Sequence, residues 1–356
     1  MADRATLVSV IVRTMGRPCL AEALSSIAAQ RYGDVEVVLV DASGRGHDLP
    51  SGPCGLFPLK RVGGRVPLAR PVAANAGLAA ASGELLLFLD EDDLLDPGHL
   101  AGLVDALQAR SDCVAAYSMA REVDLHGRHL RTRARRFSRF LLFSECFVVI
   151  CSVLFRRSVL ASCRFDESFE VFEDWDFWLQ VSRLGPFLFV PQETATYRTQ
   201  HGTSGLGDAS NRDFDRVQPL LSRLAAKWAR EAGAMGRALD AEFSRALDLV
   251  HGRRIEDAAK AVDEVLAQFP YHAGALGLRG NLFAVSGSFE PALADFLAAA
   301  REEPAEPAHL MGAAQALERL GRPNEAISCY EKAQSLAPAS AAIAARLSNL
   351  RSSIQT

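Results

Sequence analysis

The rhythm of apolar residues divides this chain into two textures. Before about residue 215, short β-branched or leucine-rich runs alternate with stretches of helical spacing. From about Val217 strand signals vanish, and alanine and leucine recur at helical intervals to the end. In the first texture Leu7 to Val12 predicts a strand stopped by Gly16 and Pro18, and Leu20, Leu24, Ile27 and Ala28 predict a helix. Val35 to Val40 is a second strand. Strand, helix and strand within about forty residues form a βαβ unit with a right-handed crossover. Residues 44–66, rich in Gly and Pro, read as loop around one short strand, and Ala69 to Ala81 as a helix. Leu85 to Leu89 is short and wholly apolar, which suits a strand buried on both faces of a parallel sheet. His99 to Leu107 predicts a helix and Cys113 to Tyr117 a short strand. Val148 to Phe155 is apolar with a helix opening at Arg156, and Phe187 to Val190 is the last strand.

The second texture is periodic. Pro270, Pro304 and Pro338 recur every 34 residues. With proline as position 32, position 20 is Ala258, Ala292 and Ala326, and position 27 is Val265, Ala299 and Ala333. Position 24 is Val262, Phe296 and Tyr330, and position 8 is Ala246, Gly280 and Ala314. Small residues at these places let paired helices approach, and proline ends the second helix of each pair. The unit resembles the tetratricopeptide repeat. Three copies span about Leu239 to Pro338, with Ala341 to Leu350 capping the last.

Composition narrows the class. A chain of 356 residues that is 49% hydrophobic and 23% charged has ample core for two domains. A formal net charge of −4 gives no global pull toward nucleic acid or anionic membrane. Seven cysteines at irregular spacing, with no Cys-x-x-Cys pair, fit reduced buried thiols better than a disulfide frame or a zinc site. The amino terminus lacks a signal-peptide layout and no apolar run approaches a membrane span, so a cytoplasmic protein is expected. Seven arginines between Arg121 and Arg139 (121, 128, 131, 133, 135, 136 and 139) are read as a solvated loop or hairpin, with an anion-binding patch as the alternative.

Candidate chemistry concentrates after the apolar run at 85–89, where the chain reads Asp90-Glu91-Asp92-Asp93. Carboxylates crowded at a strand end repel unless a cation sits among them. Ligands of open α/β sheets bind at the carboxyl ends of strands, and Mg²⁺ typically takes one or two carboxylates plus phosphate oxygens. An acidic helix start is the alternative for this cluster. Further acids end the second strand (Asp41) and lie among aromatics at Glu173-Asp174-Trp175-Asp176.

Together Val8-Ser9-Val10-Ile11-Val12-Arg13-Thr14-Met15-Gly16-Arg17-Pro18, Val40-Asp41, Asn75-Ala76-Gly77, Phe88-Leu89-Asp90-Glu91-Asp92-Asp93 and Glu173-Asp174-Trp175-Asp176 resemble the family 2 inverting glycosyltransferases of GT-A fold. The resemblance covers about residues 6–205. It implies an α/β domain, a Rossmann-like mixed sheet flanked by helices, over residues 1–215. A helical linker (216–238) and an all-α tetratricopeptide-repeat domain (239–356) follow. The activity it implies is transfer of a sugar from a nucleotide-diphosphate-sugar to an acceptor hydroxyl with inversion. The acceptor is a glycan, a lipid-linked glycan or a protein side chain, and the repeats are expected to bind a protein partner.

Roles follow residue by residue from that resemblance. Thr14 and Asp41 would contact the nucleobase and ribose. Asp90 and Asp92 would hold the ribose and an Mn²⁺ or Mg²⁺ ion on the diphosphate, with Glu91 between them, and Asp93 would support the turn or touch the sugar. Arg17, Arg70 and Asn75 complete the donor site. Arg70 stands in for the arginine that relatives often carry before the asparagine, here Ala74. His201, in Tyr197-Arg198-Thr199-Gln200-His201, would close the site and join Asp90 and Asp92 at the metal. Asp174 would be the general base. Plainer alternatives stand beside these: Asp41 as a turn former with Ser43, Asp174 as a helix cap, His201 as a loop residue, and the aromatics around Asp174 as core. Two departures bear on the donor: Met15 stands where an aromatic is usual, and Ala42 where a second acid is usual. Two other functions compete with this one, a repeat scaffold with a dead α/β domain and a nucleotidyltransferase. The four acids Asp41, Asp90, Asp92 and Asp174 argue against the first, and the missing glycine-rich phosphate loop against the second.

Overall fold

The computed structural model describes residues 6–46, 49–50, 52–124, 126–199, 214–338 and 340–355. Two compact units divide the chain, Met1–Ala229 and Arg230–Thr356. The division falls inside the stretch read as a linker, which is one uninterrupted helix.

The first unit is built on a mixed nine-stranded sheet. Strands β1 (Val8–Thr14), β2 (Val35–Asp41), β3 (Leu59–Gly63) and β4 (Leu85–Asp90) are parallel in the order β3-β2-β1-β4. Beyond β4 the sheet turns mixed. Strand β8 (Val153–Arg156) runs antiparallel to β4 and to β6 (Ala115–Val123). Strand β9 (Phe187–Arg198) runs parallel to β6 and pairs at its end with the two-residue β5 (Leu94–Leu95). Register decides what meets: Thr14 lies opposite Asp41 and Arg13 opposite Asp90, so the carboxyl ends of three strands share one rim.

Helices α1 (Leu20–Ala28), α2 (Arg70–Ala80) and α3 (His99–Gln108) cover the sheet. Leu20, Ala23 and Ile27 bury the inner face of α1, while β1 and β4 are buried on both faces, as parallel strands between helical layers require. Helix α2 approaches closely because of Gly77, where a Cβ atom would stand 2.4 Å from Ile11 Cγ2. Asn75, two residues earlier, receives the Phe165 amide and donates to the Phe165 carbonyl, each at 3.0 Å, pinning that segment onto α2. Below the acids an aromatic cluster fills the core, with Phe165 stacked on Phe177 at 4.3 Å and Phe88 meeting Phe155 and Phe165.

Three expected elements differ. The helix opening at Arg156 is a short 3-10 turn, Arg157–Ala161. Strands β6 and β9 run well past the apolar runs that mark them, because their outer halves pair with each other and need no continuous apolar sequence. Pro191 falls in the register shift between them, where no ladder hydrogen bond is lost. The arginine-rich stretch includes a hairpin, β6 with β7 (His129–Arg133), in which Arg131 and Arg133 pair with Glu122 and Arg128 with Asp124. All seven cysteines are free thiols.

Helix α6 (Phe214–His251) enters the second unit, which is wholly helical: α7 (Ile255–Gln268), α8 (Ala273–Val285), α9 (Phe289–Glu302), α10 (Pro307–Arg319), α11 (Pro323–Leu336) and α12 (Ala341–Gln355). Ala258, Ala292 and Ala326, and likewise Val265, Ala299 and Ala333, are completely buried. Position 8 explains itself at Gly280: a Cβ there would stand 2.9 Å from the Phe296 ring, the position-24 aromatic of the same repeat. Among the described residues no helix is long and apolar enough to cross a membrane.

Candidate active site

At the rim formed by β1, β2 and β4, a cavity of about 600 Å³ opens, within the ordinary size of a small-molecule site. Its walls include Arg13, Thr14, Met15, Arg17, Ala42, Arg70, all four acids from Asp90 to Asp93, Asp174 and Tyr197. Residues far apart in the chain thus share one space.

Arginines organise the acids. Arg13, 6% exposed near the end of a fully buried strand, grips Asp90 with two hydrogen bonds of 2.7 and 2.9 Å and reaches Glu173 at 3.3 Å. Arg70, from the first position of α2, donates to Glu173 at 2.7 Å and approaches Asp90 at 3.4 Å. Burial by itself would raise the Asp90 carboxyl, but Arg13 and Arg70 outweigh it and hold the group below its usual range. Arg17 pairs with Glu91 at 2.6 Å and with Asp92 at 3.2 Å. Glu91 is spent on the turn after β1, taking hydrogen bonds from the Thr14 hydroxyl and from the amides of Met15 and Arg17.

Three other acids are lifted instead. Burial and the Asp90 charge push Asp92 up, with Arg17 offsetting part of the effect. Burial and the adjacent Glu173 raise Asp174 to about 6, against the pull of Arg70 and Arg13. Tyr197 and Cys146 also face Asp174 closely enough to feel its charge. Asp174 stands in the first turn of α5 (Glu173–Val181), and its Oδ1 accepts the Trp175 amide at 2.8 Å. Asp93 is fully buried, accepts the Arg198 amide at 3.0 Å, and is raised well above the carboxylate range by burial and by Asp92 and Asp90.

The structure thus brings Thr14, Arg17, Arg70, Asp90, Glu91, Asp92 and Asp174 to one cavity, and it alters several expected roles. Asn75 is committed to the Phe165 segment and to Glu167, so it braces the loop and does not line the cavity. Asp41 closes a turn, its Oδ1 accepting the Ser43 amide at 2.9 Å and hydroxyl at 2.6 Å. Thr14 and Glu91 satisfy one another. Asp90 anchors two guanidinium groups, those of Arg13 and Arg70. His201 lies outside the described residues, and among those described no three His, Cys, Asp or Glu side chains converge as a metal-ligand set. Arg13 and Glu173 belong to the matching motifs but have no role by resemblance; the structure places both at the centre of the charge network. The signal available was an arginine at the end of an apolar strand facing an acid cluster.

A mixed α/β sheet with charged groups gathered at its strand ends defines a ligand-binding α/β domain joined to a helical array. Comparison with known proteins makes this more specific. Residues 69–164 match the model of glycosyl transferase family 2, and residues 310–340 match a tetratricopeptide repeat. The chain is 24% identical over 232 residues to the uncharacterized glycosyltransferase YwdF of Bacillus subtilis, covering 62% of this chain and 83% of that protein. It is 33% identical over 102 residues to the uncharacterized glycosyltransferase alr2836 of Nostoc, 27% of this chain and 30% of that protein. Among solved structures, S. aureus TarS 1-349 in complex with UDP-GlcNAc superposes with a TM-score of 0.49 at 15% identity, covering 84% of this chain and 92% of that one. The chain thus holds a region similar to family 2 glycosyltransferases, followed by a region similar to tetratricopeptide repeats.

Proposed function

We propose that the first unit transfers a sugar from a nucleotide-diphosphate donor to an acceptor hydroxyl in one displacement, with inversion at the anomeric carbon. The observation that carries this reading is Asp174: a carboxylate raised to about 6 that faces the cavity also lined by Asp90 and Asp92. A general base works best when its pKa lies near the operating pH, and one so placed contributes about 10²–10⁴-fold. Asp174 takes the proton from the acceptor oxygen as that oxygen attacks. Glu173, held by Arg13 and Arg70, keeps a neighbouring negative charge that favours the protonated form of Asp174.

Arg17 and Arg70 are suited to the donor diphosphate, since guanidinium forks match phosphate oxygens. Asp92 is the side chain best placed to hold a divalent cation. It lines the cavity beside Asp90, and one carboxylate plus phosphate oxygens is a sufficient Mg²⁺ or Mn²⁺ set. Such an ion, when bound, would stabilise charge on the leaving phosphate oxygen. The repeats are suited to a protein partner, which would deliver or present the acceptor.

A thermal-shift screen of nucleotide-sugars with and without Mn²⁺ tests the donor half of this reading. Acceptor-dependent release of nucleoside diphosphate tests the chemistry. Release of pyrophosphate instead, or stabilisation by no nucleotide-sugar, would refute it.

A further inference from the structure

Asp174 sits in the first turn of α5, so the direction of its carboxylate depends on how that helix is held. Immediately before it, Phe172 adopts φ 67°, a left-handed conformation costly for a residue with a side chain. Two residues beyond it lies Asp176, about 200° further around the helix and so on the opposite face. Asp176 is completely buried. Its carboxylate accepts Lys227 Nζ at 2.8 Å, Trp228 Nε1 at 2.9 Å and Gln180 Nε2 at 2.7 Å. A carboxylate this deep is weak evidence for stability, since a well-packed apolar side chain would often hold the fold as well. What the paired carboxylate does supply is a directional tie between α5 and the opening turns of α6.

The rest of that contact points the same way. Lys227 also binds Asp166 at 2.8 Å, and Arg223 lies over the Phe169 ring at 4.5 Å. Both residues belong to the segment leading into Phe172. The Trp228 ring meets Phe143, and Leu221, on the same helix, lines the catalytic cavity. We propose that Lys227 and Trp228 are positioning residues for the transfer reaction, which through Asp176 fix the direction in which α5 presents Asp174. The proposal rests on Asp174 as the base. It makes the first turns of α6 part of the working site, although the motifs of the α/β domain end before them.

The test uses the full-length chain and the nucleotide-sugar that stabilises it most. Trp228→Phe removes one hydrogen-bond donor and keeps the aromatic ring. It is expected to lower kcat about tenfold, within the range of about 10²-fold for small misplacements of catalytic groups. Lys227→Met should lower kcat further and Lys227→Arg recover most of it, while donor Kd by calorimetry stays within about twofold in all three. Wild-type kcat in folded Trp228→Phe overturns the proposal, even if Lys227→Met does not fold. Parallel loss of kcat and donor affinity overturns it too, since that reports collapse of the cavity. Asp174→Asn, assayed alongside, separates the two layers: if it stays active the base assignment fails, and if it is dead while Trp228→Phe is normal only the positioning role fails.

Discussion

The seam of the repeats and the acid rim of the sheet solve opposite packing problems. In the repeats, Ala258, Ala292 and Ala326 vanish into helix contacts, and Phe296 fills the space that Gly280 leaves open. The core there is dominated by apolar residues close in sequence, and at Gly280 it has no room for an added atom. At the rim the buried groups are charged, and their partners come from far away: Arg13 meets Asp90 and Glu173, and Arg70 meets Glu173. Burial outweighs the nearby cations at Asp92, Asp93 and Asp174, whose carboxyls are raised. Uniform satisfaction builds a scaffold, whereas unequal satisfaction of charge builds a reactive site.

The largest expected effect breaks the rim without touching its packing. Asp174→Asn keeps the shape and should lower kcat by about 10²–10⁴-fold with donor affinity retained, as read by steady-state kinetics and calorimetry. Next, one cavity and one orphaned charge can be set against each other. Phe296→Ala should cost about 3–5 kcal/mol in denaturant unfolding of the repeats, through the hole it leaves. Glu91→Ala should cost a similar amount in the first unit, by stranding Arg17 and the amides of the turn. If a near-isosteric Glu91→Gln substitution is neutral, that turn is held by shape and not by charge.

Smaller effects sharpen the picture. Asp92→Ala should weaken Mn²⁺-dependent donor binding about tenfold or more, the size of one charged contact, and leave metal-free binding little changed. Unaltered affinity in a Mn²⁺ titration would remove the metal role from Asp92. For pH, the sign follows from Asp174 being lifted to about 6 by burial and Glu173. The base must be ionised, so kcat/KM should rise through about pH 6 and level above it, falling about tenfold per unit below. Glu173→Gln removes the adjacent negative charge, so it should move that limb to lower pH. A limb that stays in place would show that burial alone sets it.

Legibility differed between the two regions for the same reason their packing does. The repeat was countable because each contact lies within one 34-residue unit or its neighbour, so spacing and structure carry the same information. Strands β1, β2 and β4 were legible as apolar runs, whereas the outer half of β9 was not, because its partner β6 supplies what its sequence lacks. Within the site, the motifs marked which residues gather but not what each does there. Asn75 and Asp41 carry the expected types and spend them on a loop and a turn.

What the amino-acid order by itself determined was the alternation of strands and helices, the 34-residue array, and a rim of acids at the end of β4. These follow from local periodicity and from where apolar runs stop. Only the tertiary structure decided which acids are neutralised. That depends on the register placing Arg13 opposite Asp90, on α2 bringing Arg70 to Glu173, and on α6 reaching Asp176 with Lys227 and Trp228. Burial and charge act through space, so a carboxylate's proton affinity is set by neighbours that include one 103 residues away along the chain.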